Sequence, residues 1–256
     1  MSEFAPAVLI ETRGVTVRFG GLVAVDNVSL AVRERELVGL IGPNGAGKTT
    51  FFHTLSGVVR PSGGRVVVCG DDLTGRAAHV FAHHGIARTF QTPRVFTAMS
   101  ALDNVRFGLQ FAGRRDRAEA RHRAFADAES LLHFVGIHEA GVSAGDLPPA
   151  RQRLLEIAMA LGARPRVLLL DEVAAGLTES ELAGAVRLIR RVRDELGLAV
   201  IWIEHAVRAL TGCVERLVVL HQGRVLADGP PAEVTRDAQV VEAYLGSFAT
   251  AEEASP

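Results

Sequence analysis

Gly42-Pro43-Asn44-Gly45-Ala46-Gly47-Lys48-Thr49 constrains this chain more than any other stretch. It matches the pattern GxxxxGK followed by Ser or Thr, and it comes directly after the apolar run from Leu37 to Ile41. The spacing therefore predicts a buried strand, a tight loop, and a helix that opens at Lys48 and continues toward Leu55. Glycines let such a loop curl until its amide N–H groups converge, and the following helix adds the positive end of its dipole. Converging amides of this kind bind phosphate. The expected contacts are the loop amides from Asn44 through Gly45, Ala46 and Gly47, the Lys48 ammonium on β- and γ-phosphates, and the Thr49 hydroxyl on Mg²⁺. Thr50 is expected to add a phosphate contact.

A second apolar run, Val167 to Leu170, ends in Asp171 and Glu172. Both carboxylates then stand at the carboxyl edge of a sheet, where ligands of open α/β folds bind. Asp171 is expected to hold Mg²⁺ or its waters, and Glu172 to act as general base on the attacking water. A helical segment from 179 to 196 followed by an apolar run at 198–203 completes a β-α-β crossover, so the central sheet is parallel. Residues 14–33 alternate apolar and polar around Gly20-Gly21, which suits two antiparallel strands. Val66 to Val68 reads as a short strand, 100–163 as helical, 216–228 as a hairpin turning at Gln222-Gly223, and 240–245 as a closing helix.

Composition narrows the class. With 256 residues, 48% hydrophobic and 22% charged, and a net charge of -1, the chain can bury a large core. It is neither a disordered tract nor a generally basic nucleic-acid binder. Cys69 and Cys213 stand far apart without metal-ligand spacing, as expected in a reducing compartment. The acidic N-terminus lacks a secretory pattern, and no run approaches the ~20 apolar residues of a membrane helix. Any membrane role is expected to come through a partner.

The two motifs are joined by others whose order resembles that of ABC transporter ATPases over nearly the whole chain. Arg88-Thr89-Phe90-Gln91 looks like that family's glutamine loop, His205 after Ile203-Glu204 like its switch histidine, and Phe19 like its adenine-stacking ring. The resemblance implies an α/β fold: a P-loop NTPase core of ABC ATPase type with an N-terminal antiparallel β subdomain and an inserted α-helical subdomain. It implies one domain over residues 1–248, with 1–91 and 164–248 as the core and 92–163 as the helical subdomain, and a disordered tail at 249–256. Gln91, Glu172 and His205 are its implied catalytic residues, Thr49, Gln91 and Asp171 its Mg²⁺ ligands, and ATP its nucleotide.

The family's signature, near Leu-Ser-Gly-Gly-Gln, is replaced here by Leu147-Pro148-Pro149-Ala150-Arg151. Pro148 has no hydroxyl, and neither proline has an N–H to donate to a partner's phosphate. Val173 and Thr178 also depart, standing where proline and aspartate are usual. In such head-to-tail dimers this implies an asymmetric pair, in which a sister ATPase supplies the intact signature; a homodimer is the other possibility.

Arg18 through Asp26, Ala174 through Leu177, and Ala243-Tyr244-Leu245-Gly246 resemble the branched-chain amino-acid uptake group, with residues 107–145 looking like the extra segment of its longer ATPase. That implies integral-membrane permease subunits as partners and, indirectly, an extracytoplasmic binding protein. It implies no nucleic acid, and a place on the cytoplasmic face of the membrane. The arginines 114, 115, 117, 121 and 123 read as a solvated helix face, with lipid headgroups or the permease as the functional reading. The alternative function is a nucleotide-binding regulatory subunit with little hydrolysis of its own.

Overall fold

The computed structural model describes residues 6–110, 127–204 and 210–244. His205, the arginines at 114–123 and the tail at 249–256 lie outside the described residues.

Two sheets form the frame. β1 (Val8–Phe19) and β2 (Leu22–Arg33) pair antiparallel, and β4 (Gly63–Val68) and β5 (Asp71–Asp72) extend that sheet on the β1 side. β1 begins six residues before the predicted alternation. At Gly14, with φ +60°, the register slips between Thr12 and Val15, which breaks the period-two pattern without ending the strand.

The second sheet has the order β10-β9-β3-β8-β7-β6. Its strands are β3 (Leu37–Ile41), β6 (Ile86–Arg88), β7 (Val167–Asp171), β8 (Ala199–Ile203), β9 (Arg216–His221) and β10 (Arg224–Gly229). The first five of these run parallel, and β10 returns antiparallel from the Gln222-Gly223 turn. β3, β7 and β8 are buried at every residue, which is why they read as unbroken apolar runs.

Alternate residues of these strands feed two different cores. Val38, Leu40, Leu169 and Ile201 pack with β1, β2, β4 and with Phe51, Phe52 and Leu55 of α1 (Lys48–Leu55). Ile41, Leu168, Leu170 and Trp202 face the opposite side, toward α3 (Ala101–Gln110), α4 (Ala128–Val135), α5 (Pro149–Gly162) and α6 (Glu179–Leu196). The parallel sheet is thus the middle layer, covered by the antiparallel sheet and α1 on one face and by helices on the other. Short elements complete the described fold, among them α2 (Ala78–His83), a 3₁₀ turn (Ala144–Asp146), α7 (Pro231–Val234) and a final helix described over 238–244.

The two prolines of the departing segment begin a helix. Pro148 occupies the N-cap and Pro149 the first helical position of α5, where a missing N–H breaks no helical bond and a fixed φ helps. Gln152 donates its backbone N–H to the Pro148 carbonyl at 3.0 Å and its side-chain amide to the Leu147 carbonyl at 2.9 Å. Thr178 caps α6 in a full capping box, so its hydroxyl does the local work that an aspartate would do there. Val173 is buried in the helical-side core.

A candidate nucleotide site at the carboxyl edge of the parallel sheet

The loop between β3 and α1 is held from outside as well as by its own turns. Ala46 accepts the Gly223 N–H at 3.0 Å, and Gly223 in turn accepts the Asp26 N–H at 2.8 Å, which ties the loop to the β9–β10 turn and to β2. Gly47 caps α1 with φ +96°, and a Cβ there would stand 2.2 Å from the Ala24 carbonyl oxygen. No other residue fits that close approach. Phe51 is the first residue of α1 to donate its N–H back to the loop, to Gly47 at 2.9 Å. The amides of Lys48, Thr49 and Thr50 belong to the helix's first turn, which has no intrahelical acceptor.

Lys48 is buried, and its ammonium donates to the carbonyls of Gly42 at 2.6 Å and Pro43 at 3.0 Å. Burial draws its pKa below the ordinary value, while the charge of Glu172 acts in the opposite direction. An open cleft of about 740 Å³ runs past this loop. Asn44, Gly45, Ala46, Gly47, Lys48, Thr49 and Thr50 line it, together with Phe19, Gln91 and Glu172. Phe19 is 52% exposed at the end of β1, a ring presented to solvent on the cleft wall.

Asp171 closes β7 and Glu172 follows it, both nearly buried. Glu172 adopts φ +50°, a conformation uncommon for a residue with a Cβ. Gln91, 81 positions earlier, donates its side-chain amide to Glu172 at 2.7 Å. Asp171 receives the Arg88 guanidinium at 3.4 Å and gives its backbone N–H to the Thr89 hydroxyl at 3.2 Å. Glu204 is buried beside Trp202 and takes N–H bonds from the Trp202 indole at 2.9 Å and from Ala174 at 2.7 Å. Burial first, with the charge of Glu172 a smaller contributor, raises its pKa.

Of the residues named from sequence, Asn44 to Thr50, Phe19, Gln91 and Glu172 share one cleft, whereas Asp171, the residue before Glu172 at the end of β7, is not among its lining. Sequence reading missed Gln222 and Gly223, which line the same cleft from the β9–β10 turn, because there they signalled only a hairpin. It also missed Arg88. That side chain, 11% exposed, lies against the rings of Phe52 and Phe90 with its guanidinium carbon 5.4 and 4.6 Å from their centroids, and it donates to Ser56 at 3.1 Å. Nothing but its place in the motif beside Gln91 could have flagged it.

The groups present would suit Mg²⁺: the Thr49 hydroxyl, the Gln91 side-chain carbonyl and the Asp171 carboxylate offer hard oxygen donors. Among the described residues no cluster of three His, Cys, Asp or Glu could hold a metal by itself, so phosphate or water oxygens would complete the shell. Nor is any described helix long and apolar enough to cross a membrane.

Comparison with known proteins bears on the whole chain. The family model for the ABC transporter matches residues 25–175, and that for the branched-chain amino acid ATP-binding cassette transporter matches 224–250. The chain is 39% identical over 249 residues to the high-affinity branched-chain amino acid transport ATP-binding protein BraF of Pseudomonas aeruginosa, covering 93% of this chain and 98% of that protein. It is 37% identical over 254 residues to the corresponding protein LivG of Escherichia coli, again with 93% and 98% covered. The crystal structure of an ATP-binding cassette of an ABC transporter in its ADP conformation superposes with a TM-score of 0.82 at 27% identity, covering 94% of this chain and 99% of that one.

Proposed function

This chain belongs to the ABC transporter ATPase family, in the group of branched-chain amino acid ATP-binding cassettes, and from that premise we propose that it is the MgATP-hydrolysing subunit of an amino-acid importer. Nucleotide enters the cleft with its adenine on Phe19 and its phosphates on the loop amides of 44–47, Lys48, Thr49 and Thr50. Thr49, Gln91 and Asp171 would hold Mg²⁺, which when bound offsets the negative charge of the β- and γ-phosphates. Glu172 orients and deprotonates the attacking water, Gln91 holds that carboxylate, and His205 meets the γ-phosphate. The observation that carries the reading is the 2.7 Å bond from Gln91 to Glu172 at the lip of a cleft floored by the phosphate loop.

The domain proposed is a single one over 1–248, with residues 92–163 as the helical subdomain. Its partners are permease subunits, a sister ATPase and, indirectly, an extracytoplasmic binding protein, so the chain works at the cytoplasmic face of the membrane. Closure of the ATPase dimer on nucleotide drives the permease. Pro148 and Pro149 leave the start of α5 without a hydroxyl and with two fewer N–H groups, which supports an asymmetric heterodimer. In that pair the sister's signature completes the site on this chain's phosphate loop, and the reciprocal site turns over slowly.

The test is steady-state ATP hydrolysis by this chain alone and then assembled with its membrane proteins and sister ATPase, with Lys48→Ala and Glu172→Gln as controls. Stimulated turnover that both substitutions abolish, while the sister's equivalent of Glu172→Gln leaves most of it, is the expected result. Turnover unaffected by either change here would move the chemistry to the sister subunit.

A further inference from the structure

Two charged residues on one face of α5, Arg153 and Glu156, have no part in the chemistry above, yet both reach the segments that carry it. Glu156 is buried, 5% exposed, and its carboxylate accepts the backbone N–H of Arg94 at 2.8 Å and that of Phe90 at 3.3 Å. Those two amides bracket Gln91. One turn earlier, Arg153 donates to the carbonyl of Val173 at 3.2 Å and to that of Ala175. Those two carbonyls lie one and three residues after Glu172, and the amide between them, at Ala174, is taken by Glu204 at 2.7 Å.

Spaced three apart, Arg153 and Glu156 share a helix face. We propose that they are positioning residues, a two-point clamp through which α5 sets Gln91 and Glu172 against each other for hydrolysis. The inference rests on the functional reading above and deepens it: the helix that opens with Pro148-Pro149, where the sister's nucleotide would dock, is the same one that grips both arms of the catalytic pair.

The energetics argue against a merely stabilising role. A carboxylate taken out of water loses more than two amide bonds return unless its charge is well compensated. Here burial pushes the Glu156 carboxyl up to about 7, and the amides of Arg94 and Phe90 and the charges of Arg88 on β6 and Arg153 on α5 only partly offset it. An apolar residue would sit in this place at lower cost. What it could not do is hold two loop amides with one rigid group.

Turnover of the reconstituted complex between pH 6 and 9, for wild type, Glu156→Gln and Glu156→Asp, tests the clamp, together with amide hydrogen exchange of the isolated chain over residues 88–95. Protonated Glu156 keeps one good acceptor, as glutamine does. Wild-type kcat should therefore fall as pH drops through about 7. Glu156→Gln should lack that limb and run about tenfold slower at pH 8, with KM within about twofold. Aspartate, one methylene shorter, should fall between them. Exchange at residues 90 and 94 should quicken in Glu156→Gln. A kcat profile parallel to wild type would overturn the clamp, and so would unchanged exchange, which needs no hydrolysis to be measured. A wild-type complex without turnover would instead overturn the functional reading and, with it, the catalytic purpose of the clamp.

Discussion

Gln91 and Glu172, 81 positions apart in the chain, meet through a 2.7 Å bond in which the amide of the first donates to the carboxylate of the second. The bond fixes a side chain whose backbone is already held at φ +50°, so the carboxylate has little freedom to turn away from the cleft. In Gln91→Ala that restraint is gone but the phosphate loop is intact. Turnover of the complex should drop by roughly ten- to a hundredfold with ATP affinity changed less than about threefold, a loss confined to the transition state. Gln91→Glu should be worse, since two carboxylates at that distance cannot both stay ionised. Equal rates for Gln91→Ala and wild type would remove Gln91 from the mechanism.

Gly47 and Gly45 separate two ways in which a loop demands glycine. Both have positive φ, at +96° and +76°, but a Cβ on Gly47 would lie 2.2 Å from the Ala24 carbonyl whereas one on Gly45 meets nothing within 4 Å. Gly45→Ala should cost about 1 kcal/mol, the backbone term alone. Gly47→Ala must also push the loop off β2, and should cost at least about 3 kcal/mol and lower nucleotide affinity more than tenfold. Thermal unfolding and nucleotide titration of the isolated chain decide it, and similar losses for the two would refute the steric account.

What could be read from sequence was what repeats locally. β3, β7 and α6 appear at their predicted residues because apolar runs and helical periodicity are properties of short windows. β5, α2 and β6 were not foreseen; two to six residues are too few to show a period. The polar framework was less legible still. Arg88, Arg153 and Glu156 look like surface residues in a chain with 22% charged residues, and only tertiary packing buries Glu156 and half-buries the two arginines. The two prolines read as damage to a loop, whereas in the fold they start a helix, and both descriptions follow from the same missing N–H.

Arg88 makes a separate claim about Asp171. Its guanidinium lies on two aromatic faces, bonds Ser56 at 3.1 Å and reaches Asp171 at 3.4 Å, so the cation is fixed before it meets the carboxylate. Arg88→Met keeps much of the packing volume and takes the guanidinium away from Asp171. The Mg²⁺ concentration for half-maximal hydrolysis should then rise about fivefold or more, with Mg²⁺-free nucleotide affinity unchanged, and Arg88→Lys should recover only part because it lacks the planar fork. An unchanged or lower Mg²⁺ requirement would show that Arg88 does not orient Asp171.

Glu156 should also make stability and activity respond to pH with opposite signs. Its folded-state pKa of about 7 lies above the ordinary 4.5, so between those values the folded chain holds a proton that the unfolded chain has released. That contribution to stability is fully present below about pH 4.5 and is lost as pH rises through 7, amounting to about 3 kcal/mol at most. Glu204, raised by burial as well, acts in the same direction. Glu156→Gln carries no ionisation to lose. Its unfolding free energy relative to wild type should therefore climb from near zero at pH 5 to a gain of about 1–3 kcal/mol above pH 7.5, in the same range where its turnover is lowest relative to wild type. Denaturant titrations at pH 5, 6.5 and 8 would measure this. A difference that stays constant across the three would mean that Glu156 remains ionised throughout and that burial does not hold its proton.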